Sequence, residues 1–356
     1  VNQHGYLVLE TGEVFPGLWH GGADRFGEVV FNTGHSGYEE TATDPSYLHQ
    51  ILVCTAPQQG NYGSDGRDWE SHRLWIEGFI CLEMQVSIRD GQWQHRLLEN
   101  HVPILSEVDT RKLVLQLRRG GTPLGALVQA NSPGEAQMKF KKLALKFAEI
   151  DSDWVHEASR NQIEDRPGDQ KLGPRVAVLD YGVKENTLRE LKKRCSEVRI
   201  FPSRTSLEEI ETWNPDGVVL SNGPGDPANV KVAVDTVRGL IGRKLIFGIC
   251  MGHQILAQAL GAKTYRMKFG HRGVNHPIED RIFNRVYMTT QNHGYSVAEE
   301  TLPKGIQVSH VNLNDQTVAG IFNPEKKFLS VQFHPESHPG PHEGEDLFDF
   351  FVRGLE

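Results

Sequence analysis

Paired cysteines, long apolar runs, basic clusters and phosphate-binding loops are all scarce in this chain, and each scarcity removes a class of function. Its four cysteines, Cys54, Cys81, Cys195 and Cys250, are scattered with no Cys-x-x-Cys pair. That pattern suits neither a disulfide framework nor a thiolate zinc cage, so a reducing compartment is expected. No segment approaches the roughly 18 apolar residues of a membrane span, and no membrane partner is expected. The first residues carry Glu10 and Glu13 and a short apolar run, Tyr6 to Leu9, unlike the basic start and longer apolar stretch of a secretory leader. The expectation is a soluble cytoplasmic protein.

Basic residues are outnumbered by acidic ones, 38 to 46, for a formal charge of −8. Without a Lys/Arg run to follow a phosphate backbone, nucleic acid is not an expected partner. A G-x-x-x-x-G-K-[ST] loop is missing too, so any ATP chemistry belongs to another chain.

What is present divides in two, as 356 residues suggest when single domains run about 100–200. Residues 1–135 read as a mixed α/β domain, with short strands at Tyr6–Leu9, Val14–Phe15, Glu28–Phe31 and Ile51–Thr55. A helix over Val108–Arg119 is capped by Asp109 or Thr110. Residues 136–173, polar and rich in lysine, read as a linker. From 174 to 356 buried strands at Val176–Leu179, Val198–Phe201, Val218–Leu220 and Leu245–Ile249 alternate with helices. This alternation predicts a doubly wound, mainly parallel sheet covered on both faces. Ser206 and Glu209 form a capping box, and Glu345–Leu355 reads as a terminal helix.

The segment Lys244–Gln254, KLIFGICMGHQ, sets Cys250 where a buried strand turns into a helix. Gly248 and Gly252 flank it at the spacing of a nucleophile elbow, whose strained turn needs small neighbours. The helix N-terminus favours a thiolate there, and an ordinary cysteine is only a few per cent thiolate near neutral pH without such help. Cys54, Cys81 and Cys195 lack that setting and read as buried packing residues.

A base and its orienting carboxylate are expected on a neighbouring strand, and Phe328–Phe333 ends in His334-Pro335-Glu336. Two residues apart on an extended backbone, His334 and Glu336 share a side, with His334 as general base and Glu336 fixing its tautomer. His334, His338 and His342 also recur every fourth residue, a metal-ligand spacing on a helix. Pro335, Pro339 and Pro341 preclude that helix, so no metal is expected.

Ser221–Ala228, SNGPGDPA, formally fits the dinucleotide fingerprint G-x-G-x-x-A. Pro224 and Pro227 remove donors that a pyrophosphate would need, and no acidic strand end follows, so a nicotinamide site is not expected. An oxyanion hole fits better, with a loop N–H acting beside that of Met251.

Together GICMGHQ, SNGPGDP and HPE resemble the catalytic segments of class I triad glutamine amidotransferases. Within that class, MKFGHRGVNHP, TTQNHGYSV and HPESHPGP resemble the carbamoyl-phosphate synthetase small subunit, as do FNTGHSGYEETATDPSYLHQILV, GNYG and DTRKL in the first domain. Met251 stands where leucine is commoner and Tyr295 where phenylalanine is common. The resemblance implies a γ-glutamyl thioester on Cys250, with glutamine held by Ser46, Gly223, Gly225, Met251, Gln254, Asn292, Gly294 and Tyr295. It also implies a first domain that contacts a large subunit and contributes to the glutamine site. That subunit, holding ATP and Mg, receives the ammonia and makes carbamoyl phosphate from bicarbonate for pyrimidine and arginine synthesis. No cofactor is implied on this chain. Read from its own residues, His293 is an ordinary polar loop residue.

Overall fold

The computed structural model describes residues 3–67, 69–88 and 91–355. The chain divides into two compact units between Asp151 and Ser152. The first holds strands β1 (Gln3–Leu9), β2 (Val14–Gly21) and β3 (Arg25–Asn32), helix α1 (Tyr38–Thr43), then β4 (Gln50–Cys54), β5 (Gln58–Gln59), β6 (Gly78–Ile80) and β7 (Glu83–Met84). Helix α2 (Trp93–Glu99), β8 (Ile104–Ser106), α3 (Thr110–Gly120), β9 (Leu124–Gln129) and α4 (Pro133–Phe147) complete it. Seven strands close a barrel in the order β1-β2-β8-β6-β4-β3-β9. Closure removes the unpaired edges that an open sheet exposes. Asp109 caps α3, its carboxylate accepting from Lys112 N–H at 2.9 Å.

The polar stretch read as a linker is structured, which corrects that expectation. Helix α4 belongs to the first unit, where Phe140 and Phe147 place their rings 5.3 and 5.1 Å from Phe26. Ala136, Phe140, Leu143 and Phe147 recur at helical spacing, but Lys139, Lys141, Lys142 and Lys146 between them hide the stripe in average composition. The rest of the stretch opens the second unit as α5 (Trp154–Ala158) and β10 (Glu164–Pro167).

The second unit continues through β11 (Arg175–Asp180), α6 (Glu185–Arg194), β12 (Glu197–Pro202), α7 (Leu207–Trp213), β13 (Gly217–Leu220), α8 (Lys231–Leu240), β14 (Leu245–Ile249) and α9 (Met251–Ala259). Then come β15 (Thr264–Asp280), β16 (Arg285–Val297), β17 (Gln307–Asn312), β18 (Val318–Asn323), β19 (Phe328–Val331) and α10 (Asp346–Arg353). The sheet order is β10-β12-β11-β13-β14-β19-β18-β17-β15-β16. Its centre, β12-β11-β13-β14-β19, is parallel as expected. Both flanks are antiparallel, an extension that the helix-strand alternation does not carry.

Successive side chains of a strand face opposite ways, so a strand covered on both faces is apolar throughout. Ala177, Leu179, Val218, Leu220 and Ile246 pack toward α7, α8 and α9. Val176, Val178, Val219, Phe247 and Ile249 pack toward α6 and α10. Ser206 caps α7, accepting from Glu209 N–H at 3.2 Å. Under the strand that leads to Cys250, the Phe247 ring meets Phe348 edge-on at 5.5 Å and Phe351 at 5.6 Å. Phe348→Ala empties the middle of that cluster, and we expect a loss of about 3–5 kcal/mol in the second unit, read as a lower urea midpoint.

Candidate functional site

The carboxyl ends of β13, β14 and β19 are adjacent in the sheet, and the three segments singled out in the sequence leave from them. Ligands of open α/β sheets bind at such ends. Cys250 follows β14 with φ 53° and ψ −102°, a backbone that a side chain rarely tolerates. Two hydrogen bonds hold the turn: Cys250 N–H donates to Val331 O at 2.8 Å, and Gly252 N–H to Ser221 O at 2.9 Å. A Cβ on Gly252 would lie 2.2 Å from the Leu220 carbonyl oxygen, so only glycine lets α9 start this close to β13.

The glycine loop after β13 is tightly pinned. Asn222 Nδ2 donates to Gly182 O at 2.9 Å, and the Ser221 hydroxyl accepts from Tyr181 N–H at 2.9 Å. Gly223 lies where a Cβ would meet Tyr181 O at 2.1 Å, and Gly225 takes φ +89°.

His334 follows β19, its N–H donating to Thr290 O at 2.9 Å. Its Nδ1 lies 2.7 Å from Glu336 Oε1, with both side chains fully buried. The backbone does not run extended between them as expected: it turns at 335–336, closed by Ser337 N–H donating to His334 O at 3.2 Å. That turn brings the carboxylate under the ring. Burial opposes charge on His334, but Glu336 and Cys250 outweigh it and hold the imidazolium well above its ordinary range. Burial likewise opposes the Glu336 carboxylate, and Lys184 and His334 together keep it ionised far below its usual value. Among the described residues His334 Nε2 meets no fixed hydrogen-bond acceptor or donor other than the Cys250 sulfur, whose interaction with the ring contributes to its raised pKa.

Lys184 is the residue that sequence reasoning misses. It precedes α6 and reads as a polar helix start, yet it is buried, with Nζ 3.3 Å from Glu336 Oε1 and a hydrogen bond to Ser337 O. Asn186 Nδ2 also donates to Glu336 O. Nothing in local sequence distinguishes such a lysine from a solvated one, because its partner lies 152 positions away.

Of the residues assigned to glutamine, Met251, Gln254, Asn292 and Tyr295 gather at the elbow. Cys250 Sγ approaches Asn292 O at 3.6 Å, and Gln254 Nε2 donates to Tyr295 O at 2.8 Å. Gly294 stands between Asn292 and Tyr295 on β16. Ser46 belongs to the first unit, in a short 3-10 turn at Pro45–Tyr47, where its N–H donates to Asp44 Oδ1 at 2.9 Å. His293 is a correction: it lies buried within β16, not in a loop, 3.0 Å from Gln291 Oε1, and burial drives its pKa well below the ordinary value. The glycine beside it made the segment read as a turn. Cys54, Cys81 and Cys195 are buried free thiols, and burial raises all three, Cys81 and Cys195 to about 12. Among the described residues no group of three or more His, Cys, Asp or Glu is placed to hold a metal ion, and no helix is long and apolar enough to cross a membrane.

Residues 177–353 match the family model described as glutamine amidotransferase class-I, and residues 7–127 that of the carbamoyl-phosphate synthase small chain, CPSase domain. A Clostridium perfringens protein described as carbamoyl phosphate synthase small chain is 44% identical over 352 residues, covering 98% of each chain. Relatives of the same description from Listeria innocua and Symbiobacterium thermophilum are each 43% identical, covering 97% of this chain and 95% and 96% of their own. The chain belongs to the carbamoyl phosphate synthase small chain family. In a small chain with a class I amidotransferase domain, the close contact of Gly252 with β13 gives the elbow a direct test. We expect Gly252→Ala to cut glutaminase turnover at least about 100-fold, because the new methyl must displace the Met251 N–H from its place at the elbow. Steady-state ammonia release from the folded variant checks this, and near-normal turnover would remove the elbow from the mechanism.

Proposed function

We propose that this chain hydrolyses glutamine at Cys250 and passes the ammonia to a large carbamoyl phosphate synthase chain. The observation that carries the reading is the buried Cys250, His334 and Glu336 at adjacent strand ends, with Cys250 in a strained elbow. His334 Nε2 takes the thiol proton, and the sulfur attacks the side-chain amide carbon of glutamine. The tetrahedral oxygen is met by the N–H groups of Met251 and Gly223. The C–N bond breaks as His334 returns the proton to departing ammonia, leaving a γ-glutamyl thioester. Water, deprotonated by the same imidazole, then cleaves the C–S bond to give glutamate and the free thiol.

Gln254, Asn292, Gly294, Tyr295 and the Gly225 turn hold the substrate in this reading. ATP, Mg and bicarbonate belong to the large chain, and the product serves pyrimidine and arginine synthesis. The cytoplasm, where thiols stay reduced, suits four unpaired cysteines.

Cys250→Ser should abolish glutamine-dependent carbamoyl phosphate synthesis in the reconstituted complex while synthesis from ammonium salts survives. A glutamine-analogue chloroketone should label Cys250 alone, and peptide mapping that places the label on Cys54, Cys81 or Cys195 instead would sink the assignment. Glu336→Gln removes the charge that keeps His334 protonated, so burial dominates and the imidazolium fails at lower pH. The thiolate then loses its partner near neutral pH, and alkylation of Cys250 should need more alkaline conditions. An unmoved alkylation profile would show that Glu336 does not support the base.

A further inference from the structure

Gln332 follows β19 two residues before His334 and is assigned no part in the chemistry above. Its side chain is buried, 1% exposed, in the wall of the site. Its Nε2 lies 3.7 Å from Cys250 Sγ, within hydrogen-bonding reach of sulfur. A buried amide beside a nucleophile matters according to which end it presents, and a chain of fixed acceptors decides that here. Tyr295 O is a backbone carbonyl and only accepts, so the Gln254 end 2.8 Å from it is the Nε2 donor. The same Nε2 has a second hydrogen, directed at the Gln332 side chain 3.0 Å away, whose facing atom is therefore Oε1. The other end, Nε2, is left toward the sulfur.

Resting on the assignment of Cys250 as nucleophile, we propose that Gln332 is a further catalytic residue: its amide N–H donates to the Cys250 thiolate and stabilises it once His334 has taken the proton. When protonated, the thiol has an acceptor, Asn292 O at 3.6 Å, and that oxygen offers nothing to an anion. A donor on the sulfur favours the charged form, as any hydrogen bond to an ionised group does. Backbone strain and helix N-terminus act on the thiolate from one side, and the Gln332 amide acts from β19 on the other. Gln254 then has two tasks, since the amide that the family resemblance assigns to substrate also locks Gln332 in its donating orientation.

The titratable groups around the sulfur are few. His334 faces it from the end of β19, with Glu336 and Lys184 behind the ring. On α9, His253 is turned away to Ser330, with Nδ1 2.8 Å from its hydroxyl, and burial lowers its pKa to about 3. On β16, His293 is engaged with Gln291 and Tyr295 O. Among these described groups His334 is the one that faces the sulfur, and its contribution is separable by substitution.

The test is the pH profile of iodoacetamide inactivation of the full chain, with Cys250 labelling followed by peptide mapping. Gln332→Met keeps volume and removes the donor, and Gln332→Glu keeps an acceptor for Gln254 while placing a carboxylate at the sulfur. We expect both to move the inactivation midpoint up by about one pH unit or more, the shift that matches loss of one hydrogen bond to an ion. Glutaminase kcat should fall about ten-fold in each. Gln332→Met should also raise KM for glutamine because Gln254 loses its anchor, an effect that Gln332→Glu spares. The upward shift should persist when Gln332→Met is placed on His334→Asn, since the amide acts on sulfur directly. An unmoved midpoint in folded Gln332→Met, with Cys250 still the labelled residue, overturns the proposal. Label away from Cys250 in the unsubstituted chain would instead overturn the nucleophile assignment on which it rests.

Discussion

Cys250 keeps its Cβ in a region of backbone space that costs of order 1–3 kcal/mol, and every other feature of the site is placed with respect to that turn. Such a conformation persists only when its surroundings over-determine it. Here they do so from both neighbouring strands, through the Val331 carbonyl on one side and the Ser221 carbonyl on the other. The close contact of Gly252 with the Leu220 carbonyl closes the third direction. Parallel strands β11, β13, β14 and β19, buried almost along their whole length, make that frame stiff enough to hold the strain. The sheet thus supplies rigidity, and the ends of three of its strands supply reactive groups.

The charges behind the thiol are ordered as strictly as the backbone. Lys184, Glu336 and His334 form a buried line in which each charge faces its opposite, and proton transfer from Cys250 extends the line by one anion beside the imidazolium. Burial penalises every member taken singly and the complete series far less, since each desolvated ion has a counter-ion at contact distance. The carboxylate is held ionised from both sides, by Lys184 as well as by the ring it orients. A proton on His334 therefore stays on His334 and does not pass to Glu336.

Much of this was legible in the chain. The two glycines around Cys250, the run of strands with buried character on both faces, and His334 with Glu336 two residues on all carry local physical signals, and the structure sets these three residues at adjacent strand ends. The antiparallel flanks carry no such signal. β15 and β16 are long, with bulges that break their alternation, and their pairing is decided by partners far along the sequence. Helix α4 was hidden by its lysines, and Lys184 by a partner 152 residues away. Glu336 was found for a reason only half right: proximity to His334 came from a turn, not from an extended strand, because Pro335 suits either.

Residues that were missed share one property: the groups they engage lie far along the chain, and such a partner leaves no pattern in local sequence. Gln332 sits in the alternation of a buried strand, where a polar residue looks like an interruption. Its meaning comes from the Tyr295 carbonyl, two hydrogen bonds away, which orients Gln254 and through it the amide beside the sulfur. Information about the thiol thus enters the site from β16 by way of α9 and β19, along donors and acceptors whose directions are forced once a single backbone carbonyl is fixed. Gln254 and Cys250 then share one hydrogen-bonded chain, so whatever engages the Gln254 amide acts on the same groups that face the sulfur.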